Sequence, residues 1–454
     1  MTKTEINKNI KAMLKEFFPL VIAIGLQMLL SFVVNLVDNF MLGTYSETAM
    51  SGAALVNQVQ FMLSQLVAGI GGGISVLCSQ YWGKGETEPI RHVISVGVKI
   101  SFIAGIIFFI ATKFWPYQVI SLFTNDAAIL EAAVDYLDIM SWTYLIFSIS
   151  STLIFSLQSV QTAFIGSVMS ASTILINGCL NYIFIFGNLG APELGIRGAA
   201  IATITSRIVE LLIILTYIFF IDKKIHMKPK HLLALDFSYI KDFFKVALPV
   251  MLSGALWGIT QSVQTAILGH VSAETIAANS VATVVFQVFL PFGFACAQAT
   301  SVIIGKTVGS GRLDLIKPFS KTFQMIFLAI GLVTGALIFA LKEVIVGFYA
   351  LSPESHNLTI QFLTILSVSC IGSCYEYPCQ CGIVAGGGDT KYAPIIDNIM
   401  EWCWVIPTSA ISAFVFHWPP VVTFMFLKSD QILKCIPNAI KTNRYKFIKN
   451  WTRQ

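Results

Sequence analysis

The amino-acid sequence predicts an all-α membrane protein of about 12 transmembrane helices, in two six-helix lobes related by pseudo-two-fold symmetry. Composition, long apolar runs and an internal repeat carry this prediction. Of the 454 residues, 56% are hydrophobic and 12% are charged, and the mean hydropathy is +0.76. Because a soluble domain carries about twice that share of charge, the expected solvent for most of this chain is a bilayer.

Apolar runs bounded by turn signals define the individual spans, because a bilayer core of about 30 Å needs roughly 20 apolar residues per helix. The predicted spans are 17–43, 51–80, 93–115, 133–157, 163–187, 196–221, 244–269, 276–306, 319–342, 358–384, 391–415 and 418–433. The first run follows a polar, lysine-bearing N-terminus and has no small-residue cleavage site. We therefore interpret it as a span and not as a removable signal.

Basic residues lie mostly on one side of this topology. With an even number of spans the two termini share a side, and that side carries most of the Lys and Arg residues. They are Lys3, Lys8, Lys11, Lys15, Lys84, Arg91, Lys223, Lys224, Lys228, Lys230, Lys306, Arg312, Lys317, Lys391 and those from Lys434 to Arg453. The positive-inside rule predicts a multi-pass protein of the cell (plasma) membrane with both termini in the cytoplasm.

The longest internal polar stretch, from Asp222 to Asp242, lies at the middle of the chain. It predicts a linker between two lobes. The expected domains are an N-lobe of spans one to six, a cytoplasmic linker, and a C-lobe of spans seven to twelve. Their ranges are 1–221, 222–243 and 244–454.

An internal repeat supports two lobes. The segment Ser46–Ala49 returns as Ala273–Ile276, and Gly83–Gly85 returns as Gly309–Gly311, with offsets close to half of the 454 residues. Both members of each pair fall on the same predicted side of the membrane. This indicates parallel repeats, a plan typical of transporters with a binding site near the midplane.

Asp38 is the clearest ionisable residue at membrane depth. It lies in the first span, where apolar residues continue beyond it to Gly43. A charge at that depth costs free energy unless it is hydrated or paired, which favours a functional role. The alternative is a carboxylate at a helix end that faces water.

The fifth and sixth spans supply polar partners for such a carboxylate. Asn177 and Asn181 are four residues apart and share a helix face, and Thr203 lies early in the next span. Carboxylate, amide and hydroxyl oxygens suit a hard cation, and a desolvated carboxylate could equally carry a proton. The alternative is that these side chains only bond neighbouring helices.

The second half carries its own polar residues at depth. Glu376 falls in the tenth span, and Asp397 and Glu401 share a face of the eleventh, where they should line a cavity or meet a polar partner unless they lie at a water-facing end. Gln261 and Gln264 lie in the seventh span, near the repeat counterpart of Asp38. All five are candidates for a substrate site or C-lobe cavity, although Gln often serves only as a helix–helix bond.

Several motifs, taken in order, resemble the multidrug and toxic compound extrusion (MATE) family over nearly the whole length. They are Val37–Gly43 in the first span, Asn177–Gly187 in the fifth, Gly198–Thr203 opening the sixth, and Gly382–Thr390 after the tenth. The resemblance implies two six-helix lobes in a V, alternating access, and export driven by inward sodium or proton flow.

The resemblance also implies site residues. Asp38, Asn177 and Thr203 match the family's N-lobe cation site, whereas Asn181 departs from the Asp that some members carry. The Glu of some relatives in the seventh span is absent, since Trp257 lies near its expected position. The expected C-lobe acidic position falls near Cys374 or Tyr375 and not on Glu376.

The predicted function is therefore a secondary active exporter, an antiporter of organic, cationic or amphipathic compounds. The alternatives are a lipid or glycolipid flippase of the same broad superfamily, a channel, and an intramembrane aspartyl protease suggested by Gly386–Asp389, which lacks a partner motif in the preceding span. We expect no enzyme activity, no cofactor and no metal beyond sodium as a coupling ion. Expected partners are a small-molecule substrate and the lipid bilayer, with no nucleic acid and no obligate protein partner.

Overall fold

A computed structural model describes residues 2–233, 238–349 and 351–453, and within these ranges the chain forms helices and no strand. The first half contains α1 (Lys3–Tyr45), α2 (Glu47–Lys84), α3 (Thr87–Phe114), α4 (Pro116–Ile120), α5 (Ala127–Ser159), α6 (Phe164–Phe184), α7 (Gly195–Thr216) and α8 (Pro229–Leu233). The second half contains α9 (Ile240–Gly269), α10 (Ala273–Gly309), α11 (Ile316–Gly347), α12 (Pro353–Tyr377), α13 (Tyr392–Met400), α14 (Ile406–Ala410), α15 (Pro420–Lys428), α16 (Asp430–Leu433) and α17 (Cys435–Arg444).

Ten helices in the described ranges are long and apolar enough to cross a membrane. This confirms the prediction of an all-α, multi-pass membrane protein. The predicted eleventh and twelfth spans are built from shorter helices. π-helical turns at Glu401–Val405 and Ile411–Val415 flank α14. Pro407 explains the first of them, because a proline ring displaces the carbonyl four residues earlier and removes one hydrogen-bond donor.

The internal repeat has a structural basis in the two ends of α2 and α10. The hydroxyl of Ser46 accepts from the backbone N–H of Ala49 at the start of α2, and Ser272 does the same for Thr275 at the start of α10. Just past the opposite ends, Gly85 and Gly311 have φ of 83° and 73°, a left-handed conformation that glycine adopts at low cost. The repeated motifs therefore begin and end equivalent helices.

The chain packs as two compact units. One comprises residues 23–82 and 86–251, and the other comprises residues 1–22, 83–85 and 252–454. The polar segment from Asp222 onward belongs to the first unit. The domain ranges drawn from the sequence stay a prediction.

Each unit has its own apolar core. In the first unit, Leu63, Tyr144 and Leu137 are fully buried between α2 and α5. In the second, the rings of Phe362 and Phe424 stack with centroids 4.0 Å apart. Large apolar side chains such as Phe40 remain exposed, as expected for helices whose outer surface faces lipid.

Candidate functional site

Helices α1, α6 and α7 bring together the four residues predicted for the N-lobe cation site. Asp38 is 9% exposed, Asn177 is 1% exposed and Asn181 is fully buried. Thr203, near the start of α7, is half-buried. Two Asn side chains one helical turn apart on α6 thus lie beside a carboxylate from α1 and a hydroxyl from α7.

Hydrogen bonds connect these four side chains in a chain. The amide Nδ2 of Asn181 donates to Asp38 Oδ1 and, over 3.1 Å, to Asn177 Oδ1. The amide Nδ2 of Asn177 in turn donates to Thr203 Oγ1 over 3.3 Å. The Asn181 amide therefore satisfies one oxygen of the buried carboxylate. The three hydrogen bonds together link α1, α6 and α7.

A cavity of about 40 Å³ lies beside Asp38. Because a single water needs at least about 10–15 Å³, the cavity has room for about three or four water-sized groups. Its wall includes side chains absent from the sequence-based site, namely Asn57 and Gln60 of α2 and Tyr136 and Thr143 of α5. The signal that could have identified the first pair is the group of three amides, Asn57, Gln58 and Gln60, within the second predicted span.

One oxygen in this cluster has no hydrogen-bond partner among the described residues. The Oδ1 atom of Asn181 is buried and unsatisfied. An unpaired buried acceptor costs free energy, so such an atom requires an explanation. Asp38, Asn177 and Thr203 line the cavity itself, and their carboxylate, amide and hydroxyl oxygens suit a small hard cation or a bound proton.

Arg207 also lines the cavity, and it is paired. Its Nη1 lies 2.7 Å from Glu210 Oε2, which confirms the ion pair expected from their spacing on α7. Ser150 donates to the other oxygen of Glu210 over 3.4 Å. Among the described residues, Arg207 is therefore paired with Glu210, and no Lys, Arg or His forms an ion pair with Asp38.

The second unit contains a separate cluster of charges around Lys434. Its Nζ lies 2.9 Å from Asp397 Oδ1 and 3.1 Å from Asp430 Oδ2. Its distance to Glu376 Oε1 is 3.5 Å. Glu376, Asp430 and Lys434 are each at most 6% exposed. The sequence pointed to Glu376 and Asp397 but placed Lys434 in a cytoplasmic tail, so the cation of the cluster was missed.

Among the remaining predicted residues of the second half, Glu401 and Asp397 each accept a hydrogen bond from a glutamine. Gln264 of α9 donates to Glu401 Oε2 over 3.0 Å. The Nε2 of Gln380 donates to Asp397 Oδ1 over 3.1 Å. Gln261 lies one turn before Gln264, and its backbone carbonyl accepts the hydroxyl of Thr265.

Asp389 belongs to the glycine-rich turn that suggested an aspartyl protease. Its two oxygens accept from Lys441 and Lys449, each over 2.8 Å. Burial opposes ionisation, but these two lysines outweigh it and lower the pKa of Asp389 below its usual value. A carboxylate held in its charged form by two lysines is a structural ion pair, not half of a proton-sharing catalytic dyad.

A duplicated, all-helical membrane fold with polar clusters buried inside each unit is the architecture of a membrane transporter. A comparison with known families gives the same class, because the model of the MatE family matches residues 23–183 and 249–400. The chain belongs to this family, the multidrug and toxic compound extrusion transporters. The resemblance inferred from the sequence motifs is thereby confirmed.

Individual relatives and solved structures agree with this assignment. The chain is 25% identical to a probable multidrug resistance protein NorM of Listeria monocytogenes, over 87% of this chain and 86% of that protein. It is also 25% identical to a NorM protein of Thermotoga maritima, over 92% and 88%. The crystal structure of a MATE transporter in complex with MaL6 superposes with a TM-score of 0.86 at 18% identity, over 95% of this chain and 96% of that one. This likeness shows the shared two-lobe fold.

Proposed function

We propose that this protein is an antiporter that exports organic cationic or amphipathic compounds, driven by inward flow of sodium ions or protons through the Asp38 cluster. The observation that carries the proposal is the buried carboxylate of Asp38 beside a cavity of about 40 Å³. A cavity of this size suits an ion or a few waters, whereas drug-sized ligands occupy pockets of roughly 300–1,000 Å³.

The physical basis of coupling is the cost of an ionised carboxylate in an apolar lobe. Arg207 is already committed to Glu210, so a proton or a sodium ion is the group that can neutralise Asp38. Neutralising Asp38 then changes the preferred packing of α1 against its neighbours, because only the charged carboxylate requires hydration. A transporter that exchanges these two forms across the membrane can couple ion entry to substrate exit.

The decisive experiment measures uptake of a fluorescent organic cation into everted membrane vesicles, with a sodium gradient and a proton gradient imposed separately. We expect one gradient to drive accumulation above the equilibrium level and its collapse to release the dye. Dye movement that only equilibrates under both gradients would contradict antiport and indicate a channel. Transbilayer movement of a labelled lipid without dye uptake would instead indicate a flippase.

The Asn181→Asp variant distinguishes the two coupling ions. It removes the amide that donates to Asp38 and puts a second carboxylate against it. Like charges this close resist ionising together, so the pair holds one proton at higher pH. If protons couple, we expect the pH profile of export to shift by about one pH unit or more to the alkaline side. If sodium couples, sodium affinity should change with little change in the pH profile.

The control for this variant is Asn125→Asp, the same change of charge at an exposed position outside the cavity. It should leave both profiles unchanged. An Asn181→Asp protein that matches the wild type in both respects would mean that this face of α6 serves only in packing.

The orientation in the membrane is tested at the linker. We propose that residues 223–231 and both termini lie in the cytoplasm, because this segment holds Lys223, Lys224, Lys228 and Lys230. Single cysteines at Lys223 or Lys228, in a chain whose native cysteines are replaced, should react with an impermeant maleimide only after cells are opened. Labelling from outside intact cells would reverse the proposed topology.

A further inference from the structure

A basic pocket separate from the Asp38 cluster lies on the first unit. It has a volume of about 420 Å³, and the described residues that line it are Arg91, His226, Lys228, Lys230 and His231. Three of these side chains are permanently cationic and the other two are imidazoles. The pocket thus concentrates positive charge at one place, whereas positive and negative side chains are usually interspersed on a protein surface.

The pocket is a built feature of the fold. After α7, Asp222 accepts from the backbone N–H of Ile225 over 2.8 Å, which turns the chain. Arg91 of α3 donates its Nε to the carbonyl of Ile225 over 2.7 Å. Ser95 of α3 donates to the carbonyl of Leu232 over 3.3 Å. Residues 222–232 are therefore fixed against α3.

Burial alternates along this segment. Ile225 and Met227 are 1% and 2% exposed, whereas His226 and Lys228 are exposed. The buried pair anchors the segment and leaves the intervening basic side chains on its outer side. A local sequence pattern thus produces the basic wall of the pocket.

The charges in the pocket act on one another. Burial, and then the positive charges of Arg91, Lys230 and Lys228, lower the pKa of His231 below its usual value. The Nδ1 atom of His231 accepts from the backbone N–H of Lys228 over 3.1 Å, so the ring hydrogen of the neutral form resides on Nε2. Two acidic groups of this region have partners of their own: Asp222 accepts from the backbone N–H of Lys224, and Glu88 lies 3.9 Å from His92.

The position of the pocket indicates the source of its ligand. Arg91 lies four residues from the start of α3, about 6 Å along the helix axis. The remaining four residues follow α7, which continues as a π-helical turn over Tyr217–Ile221. The pocket is therefore placed at the ends of two membrane-spanning helices, the depth of lipid headgroups in a bilayer about 40–45 Å thick overall.

We propose that this pocket binds the phosphate-bearing headgroup of an anionic phospholipid. Lysine and arginine donors match phosphate oxygens, and basic pockets at the ends of membrane helices bind anionic lipid headgroups. The proposal does not depend on the transport cycle, and its test is a binding measurement.

The test titrates the purified full-length protein in neutral detergent with dioleoylphosphatidylglycerol, and separately with dioleoylphosphatidylcholine and with inorganic phosphate. Native mass spectrometry counts the bound lipids. We expect saturable binding of phosphatidylglycerol at least about tenfold tighter than of phosphatidylcholine. Lys228→Gln/Lys230→Gln should weaken phosphatidylglycerol binding about 25-fold, at about fivefold per lysine.

The matched control is Lys223→Gln/Lys241→Gln, which removes the same charge from exposed positions that flank the pocket. It should keep wild-type affinity. Equal losses in the two double variants would overturn the site in favour of diffuse surface charge. Saturable phosphate binding at equal affinity, without preference for phosphatidylglycerol over phosphatidylcholine, would overturn the lipid assignment.

Discussion

Asp38→Asn should reduce ion-driven export to the level of vesicles that lack the protein. The substitution keeps the volume of the side chain and an oxygen that can still accept from Asn181. It removes the charge that a proton or sodium ion would neutralise. Because the apolar part of α1 then carries no carboxylate for the ion to neutralise, ion entry can no longer bias the transporter toward either side.

The same variant should fold. A buried ionised carboxylate costs free energy, so replacing it by a neutral amide leaves the melting temperature unchanged or raises it. The matched control, Asp314→Asn, makes the same change at an exposed position outside the cavity and should transport normally. A folded Asp38→Asn protein that concentrates dye as the wild type does would exclude Asp38 as the coupling residue.

The sequence predicted the fold class well because the physics involved is local. A bilayer demands internally hydrogen-bonded, apolar helices, and hydropathy reads that requirement residue by residue. The ends of the helices were harder to predict from the sequence. The sequence placed the start of the first span near Phe17, but α1 begins at Lys3, since a polar segment with good helix formers continues the same helix beyond the apolar run.

The clustering of the four N-lobe candidates was also predictable, because they are polar residues inside apolar spans and two of them share a face of α6. What the sequence could not give is which helix faces which. Asn57 and Gln60 were equally polar and equally inside a span, but only the packing of α2 brings them to the Asp38 cavity. Helical periodicity shows which residues share a face of one helix, but it does not show which other helix packs against that face.

The second-half cluster shows the same limit more strongly. Lys434 follows the last predicted span, and a lysine at such a place normally extends to the headgroups. Here α16 and α17 carry it inward, and Asp430 one turn before it is the first of its partners. The spacing of these two residues was a local signal, but the approach of Glu376 and Asp397 depends on tertiary packing.

Lys434→Gln should be the most destabilising single change in the second unit. Glu376, Asp397 and Asp430 all lie within 3.5 Å of the Lys434 ammonium group. Removing one partner of a buried ion pair typically costs about 3–5 kcal/mol, because the remaining charge is left uncompensated. We expect a clear fall in the melting temperature in detergent at neutral pH. The fall should become smaller in acid, since protonation relieves the repulsion among the three carboxyl groups.

A compensating variant separates lost charge balance from lost packing. Lys434→Gln combined with Asp430→Asn and Glu376→Gln removes two of the three stranded carboxylates, so it should recover most of the lost stability. Lys446→Gln makes the same change at an exposed position and should stay within about 0.5 kcal/mol of the wild type. If the triple variant melts no higher than Lys434→Gln alone at every pH, the lysine stabilises this unit through the packing of its methylene chain, and the cluster is not held together by charge.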